Sequence, residues 1–221
     1  MLWLHGKASG AASRTTLAVC RSPAAAIALA VAGVLGATAA VPHSSAMLAS
    51  TGQQLASMVR LSGLVAALVA LSRWSSVRAV ARQTLGLRSV LVCAGSVSIL
   101  VATAGVAAIA GGYATDASWN ERGFGASVPV AVALFAFRWG AVAAVVGVLP
   151  LGKWGGSVVT VTVGWLLPQS VPSFYFLDPG APLRNLEHNS QTFVGCLADT
   201  GAILAFGMAA ILLERRFRPT S

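Results

Sequence analysis

The stretch LSRWSSVRAVARQTLGLRSVL, residues 71–91, carries four arginines (Arg73, Arg78, Arg82 and Arg88) and no acid, and it lies between two long apolar runs. Its reading decides the fold. A soluble core gives no reason to separate two apolar runs by an uncompensated basic connector. Between two membrane-crossing helices the same connector fixes orientation, because arginine and lysine are retained on the cytoplasmic side. Composition agrees, since 56% hydrophobic and 10% charged residues with a mean hydropathy of +0.77 leave more apolar surface than a core of 221 residues could hide. The net charge of +9 would point to nucleic acid in a soluble chain, but the bases sit mostly between apolar runs, where membrane orientation accounts for them.

Working outward from that connector, six segments approach the roughly 20 apolar residues that a crossing helix needs. They run over 23–41, 55–72, 89–111, 128–149, 156–171 and 192–213. Pro23, Pro42, Pro129, Pro150 and Pro168 fall near their edges, where a missing amide disturbs a helix least. With the N-terminus inside, the cytoplasmic pieces hold Lys7, Arg14, Arg21, Arg73, Arg78, Arg82, Arg88, Lys153, Arg215, Arg216 and Arg218, and the outside loops hold only Arg122 and Arg184. Eleven bases against two favour an even number of spans with both termini in the cytoplasm. The expected fold is therefore all-α: a polytopic membrane protein of about six helices over 23–213. A cytoplasmic segment, 1–22, precedes the bundle, a basic connecting helix covers 73–88, an outside segment covers 172–191 and a basic tail covers 214–221. The first apolar run, with its bases ahead and ATAAV at its end, also reads as a cleavable signal peptide. Either reading leaves the rest of the topology unchanged. Along that run Ala24, Ala28, Ala32, Gly36 and Ala40 recur every fourth residue, a ridge of small side chains that lets another helix come close.

Helical spacing puts Trp74, Val77, Ala81 and Leu85 on one face of the basic connector and Ser75, Arg78 and Arg82 on another, with Gly86 placed to end it. Such an element can lie on the inner leaflet with its arginines on anionic headgroups. It can also dock a cytoplasmic partner.

The run LVAALVALSRWSSVRAVARQTLGLRSVLVCAGSVSILVATAG is similar to the second span, coupling segment and third span of type-two ATP-binding-cassette exporter permeases. The run VALFAFRWGAVAAVVGVLPLGKWGGSVVTVTVGWLLP resembles that family's fourth and fifth spans, separated by a tight basic turn. SVPSFYFLDPGAPLRNLEHNSQ matches in place and length its outside segment before the last span. Two features depart from the pattern: Ser72, Arg73 and Trp74 stand where the family usually has an acid after the second span, and the usual amphipathic elbow before the first span is barely recognisable in residues 1–21. The resemblance implies a permease subunit of the bacterial cell membrane that moves an amphipathic lipid, drug, peptide or polysaccharide. It would bind no cofactor itself, with ATP and magnesium held by a separate cytoplasmic ATPase, and would pair with a second permease subunit, like or unlike. Trp74, Val77, Arg78, Ala81, Arg82 and Leu85, with Lys153 and Trp154 in the second turn, become the candidate docking residues. The chain has no G-x-x-x-x-G-K-[ST] loop of its own, as that division of labour requires.

Three ionisable residues fall inside expected spans, where charge is costly. Counting inward at 1.5 Å per residue, Arg60 lies about 7.5 Å, Asp199 about 10 Å and Arg138 about 15 Å below the outer boundary, so Asp199 is expected to pair with Arg60 or Arg138. Asp178, Glu187 and His188 form no recognised ligand spacing and read as solvated loop residues. Cys20, Cys93 and Cys196 are dispersed among apolar runs and suggest neither disulfides nor a metal site. No catalytic constellation is present in the sequence, so an enzyme is not expected. The rival readings are the substrate-binding membrane subunit of a vitamin importer and a non-catalytic membrane assembly protein.

Overall fold

The structure, a computed structural model, describes residues 2–40, 51–115, 127–151, 153–166, 178–183 and 193–217. Among these residues every regular element is helical. The elements are α1 (Leu2–Cys20), α2 (Pro23–Ala40), α3 (Thr51–Leu85), α4 (Arg88–Thr115), α5 (Ser127–Val148), α6 (Lys153–Val161) continuing into a π-helical turn (Thr162–Leu166), and α7 (Phe193–Arg216). A further helical turn covers 181–183. Among the described residues four helices are long and apolar enough to cross a membrane: Ala56–Leu85, Arg88–Ala114, Val128–Val148 and Gly195–Arg216. A fifth is added if the pair Gly10–Cys20 and Pro23–Thr38, bent by 54°, counts as one span.

Local chemistry explains several boundaries. Ser22 caps α2, its Oγ accepting the amide of Ala25 at 3.1 Å, and Pro23 takes the first helical position, where no amide is needed. α3 ends at Gly86, whose φ of 58° is the left-handed conformation glycine tolerates best. The amide of Gly86 returns to the carbonyl of Arg82, so α4 starts back after a two-residue turn. α5 stops two residues ahead of Pro150, which cannot continue a helix.

The sequence suggested a second span ending at Ser72 and a separate basic helix over 73–88. The structure instead has one rod of 35 residues, Thr51–Leu85, about 52 Å long at the standard rise. Nothing at Ser72, Arg73 and Trp74 breaks it: there is no glycine or proline, and the arginines and alanines that follow are good helix formers. The N-terminal segment is helical too, as α1, and packs on α3 and α4. The fifth expected span, 156–171, is described as far as Leu166; its remainder lies outside the described residues, as does most of the outside segment 172–191.

Contacts set the course of the helices. Cys20 donates from Sγ to the carbonyl of Ser96, and further along Gly33 and Gly36 meet the main chain at Ala107 and Ala108, so α2 runs parallel to α4. α3 and α4 are antiparallel across the Gly86 turn. α6 folds back along α5, with Gly156 beside Val146 and Gly164 against the Trp139 ring. From α2 onward successive helices thus alternate in direction, while α1 and α2 meet at a bend of 54°. The α2 ridge is used as its spacing suggests: Ala28, Ala32 and Gly36 are buried, and a Cβ on Gly36 would collide with the main chain of Ala108. The core between α3, α4 and α5 is built around Phe135 and Trp139, set edge to face at 6.5 Å, with Gly63 making room for the Phe135 ring. α7 differs from the other long helices: only 17% of its most apolar 18-residue stretch is buried, and Leu197, Leu204, Met208 and Leu212 face outward.

Candidate functional site

Two polar layers interrupt this apolar bundle. The first, near the N-terminal ends of α3 and α7, is a chain of four charges drawn from α3, α5, α7 and the 178–183 segment. Arg60 donates from Nη2 to both carboxylate oxygens of Asp178 at 3.0 Å each. Asp178 Oδ1 also accepts the amide of Gly180 at 2.8 Å, while Arg138 donates through Nη1 to the main-chain carbonyl of Asp178. Arg138 Nη2 then stands 3.2 Å from Asp199 Oδ1. Two guanidiniums face two carboxylates, so the group is neutral as a whole. Its side chains are 16% (Arg60), 0% (Asp178), 4% (Arg138) and 6% (Asp199) exposed.

The surroundings are aromatic and glycine-rich. The Arg60 guanidinium lies 5.9 Å from the centroid of the Trp165 ring, a cation–π placement, and the Trp139 ring rests on Gly164 in the same π-helical turn. A π turn inside an α-helix is rare and recurs at functional sites. Gly180 is pressed so closely against the Arg60 side chain that a Cβ there would collide with Nε. The six residues 178–183 are all buried, so this short non-helical piece and its helical turn sit inside the bundle. The indole nitrogen of Trp139 and the hydroxyl of Ser62 are buried without a hydrogen-bond partner.

The second layer lies where α3, α5 and α7 end. Arg78 donates to the carbonyls of Val148 and Leu149 at 2.6 and 2.7 Å, satisfying the terminal acceptors of α5. Arg82 makes a two-nitrogen fork to Glu214, with Nε to Oε1 at 2.8 Å and Nη2 to Oε2 at 2.5 Å, and Glu214 is 2% exposed. The candidate docking residues are thus largely turned toward the protein's own helices. Trp74, Ala81 and Leu85 are buried and Val77 packs against the core. The connector leaves Arg73, Ser75, Ser76, Val80, Gln83, Thr84 and Arg88 exposed. Lys153 opens α6, but the side chains of Lys153 and Trp154 lie outside the described ones.

Asp199 is brought to Arg138, while Arg60 goes to Asp178. The reading of Asp178 as a solvated loop residue is corrected by its complete burial; Glu187 and His188 lie outside the described residues. Charge balance was the available signal, since two arginines in expected spans faced one acid and a second was required. Glu214 was overlooked for a related reason: in the sequence it is one acid beside three arginines of a basic tail. In the structure it is the last inward residue of α7. Among the described residues no cluster of three or more metal-binding side chains occurs. No family model, curated protein or solved structure matches the chain.

Proposed function

We propose that the chain is the membrane-spanning permease subunit of an ATP-binding-cassette exporter. It crosses the bacterial cell membrane six times with both termini in the cytoplasm and draws on ATP hydrolysed by a separate subunit. The observation that carries this reading is the way Arg78 and Arg82 tie the α3–α4 connector to the ends of α5 and α7. A partner pressing on the exposed side of that connector, at Arg73, Val80, Gln83 and Arg88, would move three helices together. Two of those helices carry Arg138, midway along α5, and Asp199, toward the far end of α7. A rigid transmitter of this kind is what a subunit without its own ATPase requires. The bent α1–α2 pair supports the reading as well, since it sets a helix ahead of the first long span, where the resemblance to exporter permeases expects an elbow.

The test is whether a stand-alone ATPase is encoded beside this chain, then co-expression with it, purification and ATPase assay in lipid. Wild type is expected to bring the ATPase with it and to raise its hydrolysis rate. Arg73→Glu with Arg88→Glu, which reverses charge on the exposed face and leaves the Arg78 and Arg82 ties alone, is expected to abolish both. A chain that purifies without the ATPase and leaves its rate unchanged would overturn the reading.

A further inference from the structure

Asp178 is held by two arginines, yet its hold on Arg60 is not the one a guanidinium makes best. Both contacts run from one nitrogen, Nη2, whereas the planar fork of arginine offers a carboxylate or phosphate two parallel donors, as Arg82 gives Glu214. Asp178 also belongs to no long helix. It opens the short buried segment 178–183, and Arg138 grips that segment by a main-chain carbonyl. Arg60 is the most accessible member of the network, lies against the face of Trp165, and sits within about 7.5 Å of the expected outer boundary at the helical rise, a depth a long side chain can span. An arginine on an aromatic face near a membrane boundary, neutralised by a carboxylate that lies outside the long helices, is chemically a receptor for an oxyanion.

We infer that Arg60, backed by Arg138, is a recognition site for the phosphate or carboxylate headgroup of an amphipathic substrate, and that Asp178 fills it as an internal stand-in until such a group displaces it. This rests on the permease reading and names the substrate class for it. The exchange conserves charge, because one anion replaces another on Arg60 while Asp199 keeps Arg138 paired. Displacement of Asp178 withdraws the 178–183 segment from between the helices, so arrival of the headgroup and opening of the space it enters become one event.

Binding to the isolated chain tests this without any ATPase, so its failure is separable from failure of the permease reading. The chain is reconstituted in nanodiscs of phosphatidylcholine with about one fifth phosphatidylglycerol, and the lipid retained after release into detergent is counted by native mass spectrometry. Asp178→Asn, which removes the stand-in charge and keeps its shape, is expected to raise retained phosphatidylglycerol about tenfold over wild type, equal to about 1.4 kcal/mol. Arg60→Gln in the same background is expected to remove the preference over phosphatidylcholine. Competition by millimolar inorganic phosphate would identify a free oxyanion as the ligand, and indifference to it a lipid headgroup; both keep the site. A cysteine replacing Leu183, buried in this structure, in a chain lacking its three native cysteines, gives a second reading by maleimide labelling. Its labelling is expected to rise with phosphatidylglycerol and with Gly180→Ala, which crowds Arg60 without changing charge. Equal lipid retention by wild type, Asp178→Asn and the Arg60→Gln double variant, or labelling indifferent to phosphatidylglycerol, would overturn the inference.

Discussion

Asp199 had two possible partners in the sequence and has Arg138 in the structure, a choice that a double-mutant cycle measures directly. With 4% and 6% of their side chains exposed, both members are desolvated, and each single change strands its partner's charge. Breaking a buried pair by removing one partner costs about 3–5 kcal/mol. Arg138 keeps the carbonyl of Asp178 when Asp199 becomes Asn, so the lower end of that range, about 3 kcal/mol, is expected for Asp199→Asn. Arg138→Gln should cost at least as much, because it also frees that carbonyl. The double variant no longer strands a charge, and the coupling between the two positions is expected to be about 1–2 kcal/mol, against less than ~0.5 kcal/mol for Asp199 with Arg60. Unfolding by titrated sodium dodecyl sulfate in mixed micelles, followed by circular dichroism, gives all the required free energies. Stronger coupling of Asp199 to Arg60 than to Arg138, or a cost below ~0.5 kcal/mol for Asp199→Asn, would refute the arrangement.

Three further expectations rest on other parts of the molecule. Gly36→Leu drives a side chain into the main chain of Ala108, which cannot move aside, and should cost about 3 kcal/mol in the same assay, while Gly201→Leu on α7, where nothing lies within 4 Å, should stay within ~0.5 kcal/mol. Glu214→Gln leaves Arg82 facing a buried neutral amide and should cost about 2–4 kcal/mol, with part of the loss recovered in Arg82→Met/Glu214→Gln; no recovery would mean the fork is not coupled. A reporter fused after Arg88 should be active in the cytoplasm and one fused after Thr115 on the outside, and the opposite pattern would invert the topology.

Much of the helical layout was legible because it depends on composition and periodicity. The apolar runs of α2, α3, α4, α5 and α7, the Pro23 start, the Gly86 stop and the small-residue ridge of α2 each act locally, and each is where the sequence put it. The break expected at Ser72 failed because polarity was read as a boundary. Helices end on backbone grounds, by glycine, proline or a cap, and the 72–74 stretch has none of these. The charge network was half legible. Arg60, Arg138 and Asp199 stand out inside apolar runs, but Asp178 lies in a Pro–Gly turn sequence that reads as exposed loop. Only tertiary packing carries that turn into the bundle. The same is true of the connector: spacing gave its two faces, while the depth of Trp74 and the partners of Arg78 and Arg82 depend on the ends of α5 and α7, more than sixty residues away in sequence.

The spacing of the two polar layers bears on why the first exists at all. The second layer sits where α3, α5 and α7 terminate, at Gly86, Pro150 and Phe217, which is where an interface with water belongs. From that layer, Arg138 is 10 residues up α5 from Val148, about 15 Å, and Asp199 is 15 residues up α7 from Glu214, about 22 Å. Both distances fall short of the roughly 30 Å of a hydrocarbon core. With the second layer at the cytoplasmic interface, Arg138 and Asp199 therefore lie within the apolar slab, where an ionised pair gives little stability that packed leucines could not give equally well. Arg60, 22 residues or about 33 Å from Arg82 along α3, reaches the far edge. The four charges thus form a ladder from that edge toward the middle. Stability alone gives no reason to keep all four charges; under the proposed function they line the route of a charged headgroup.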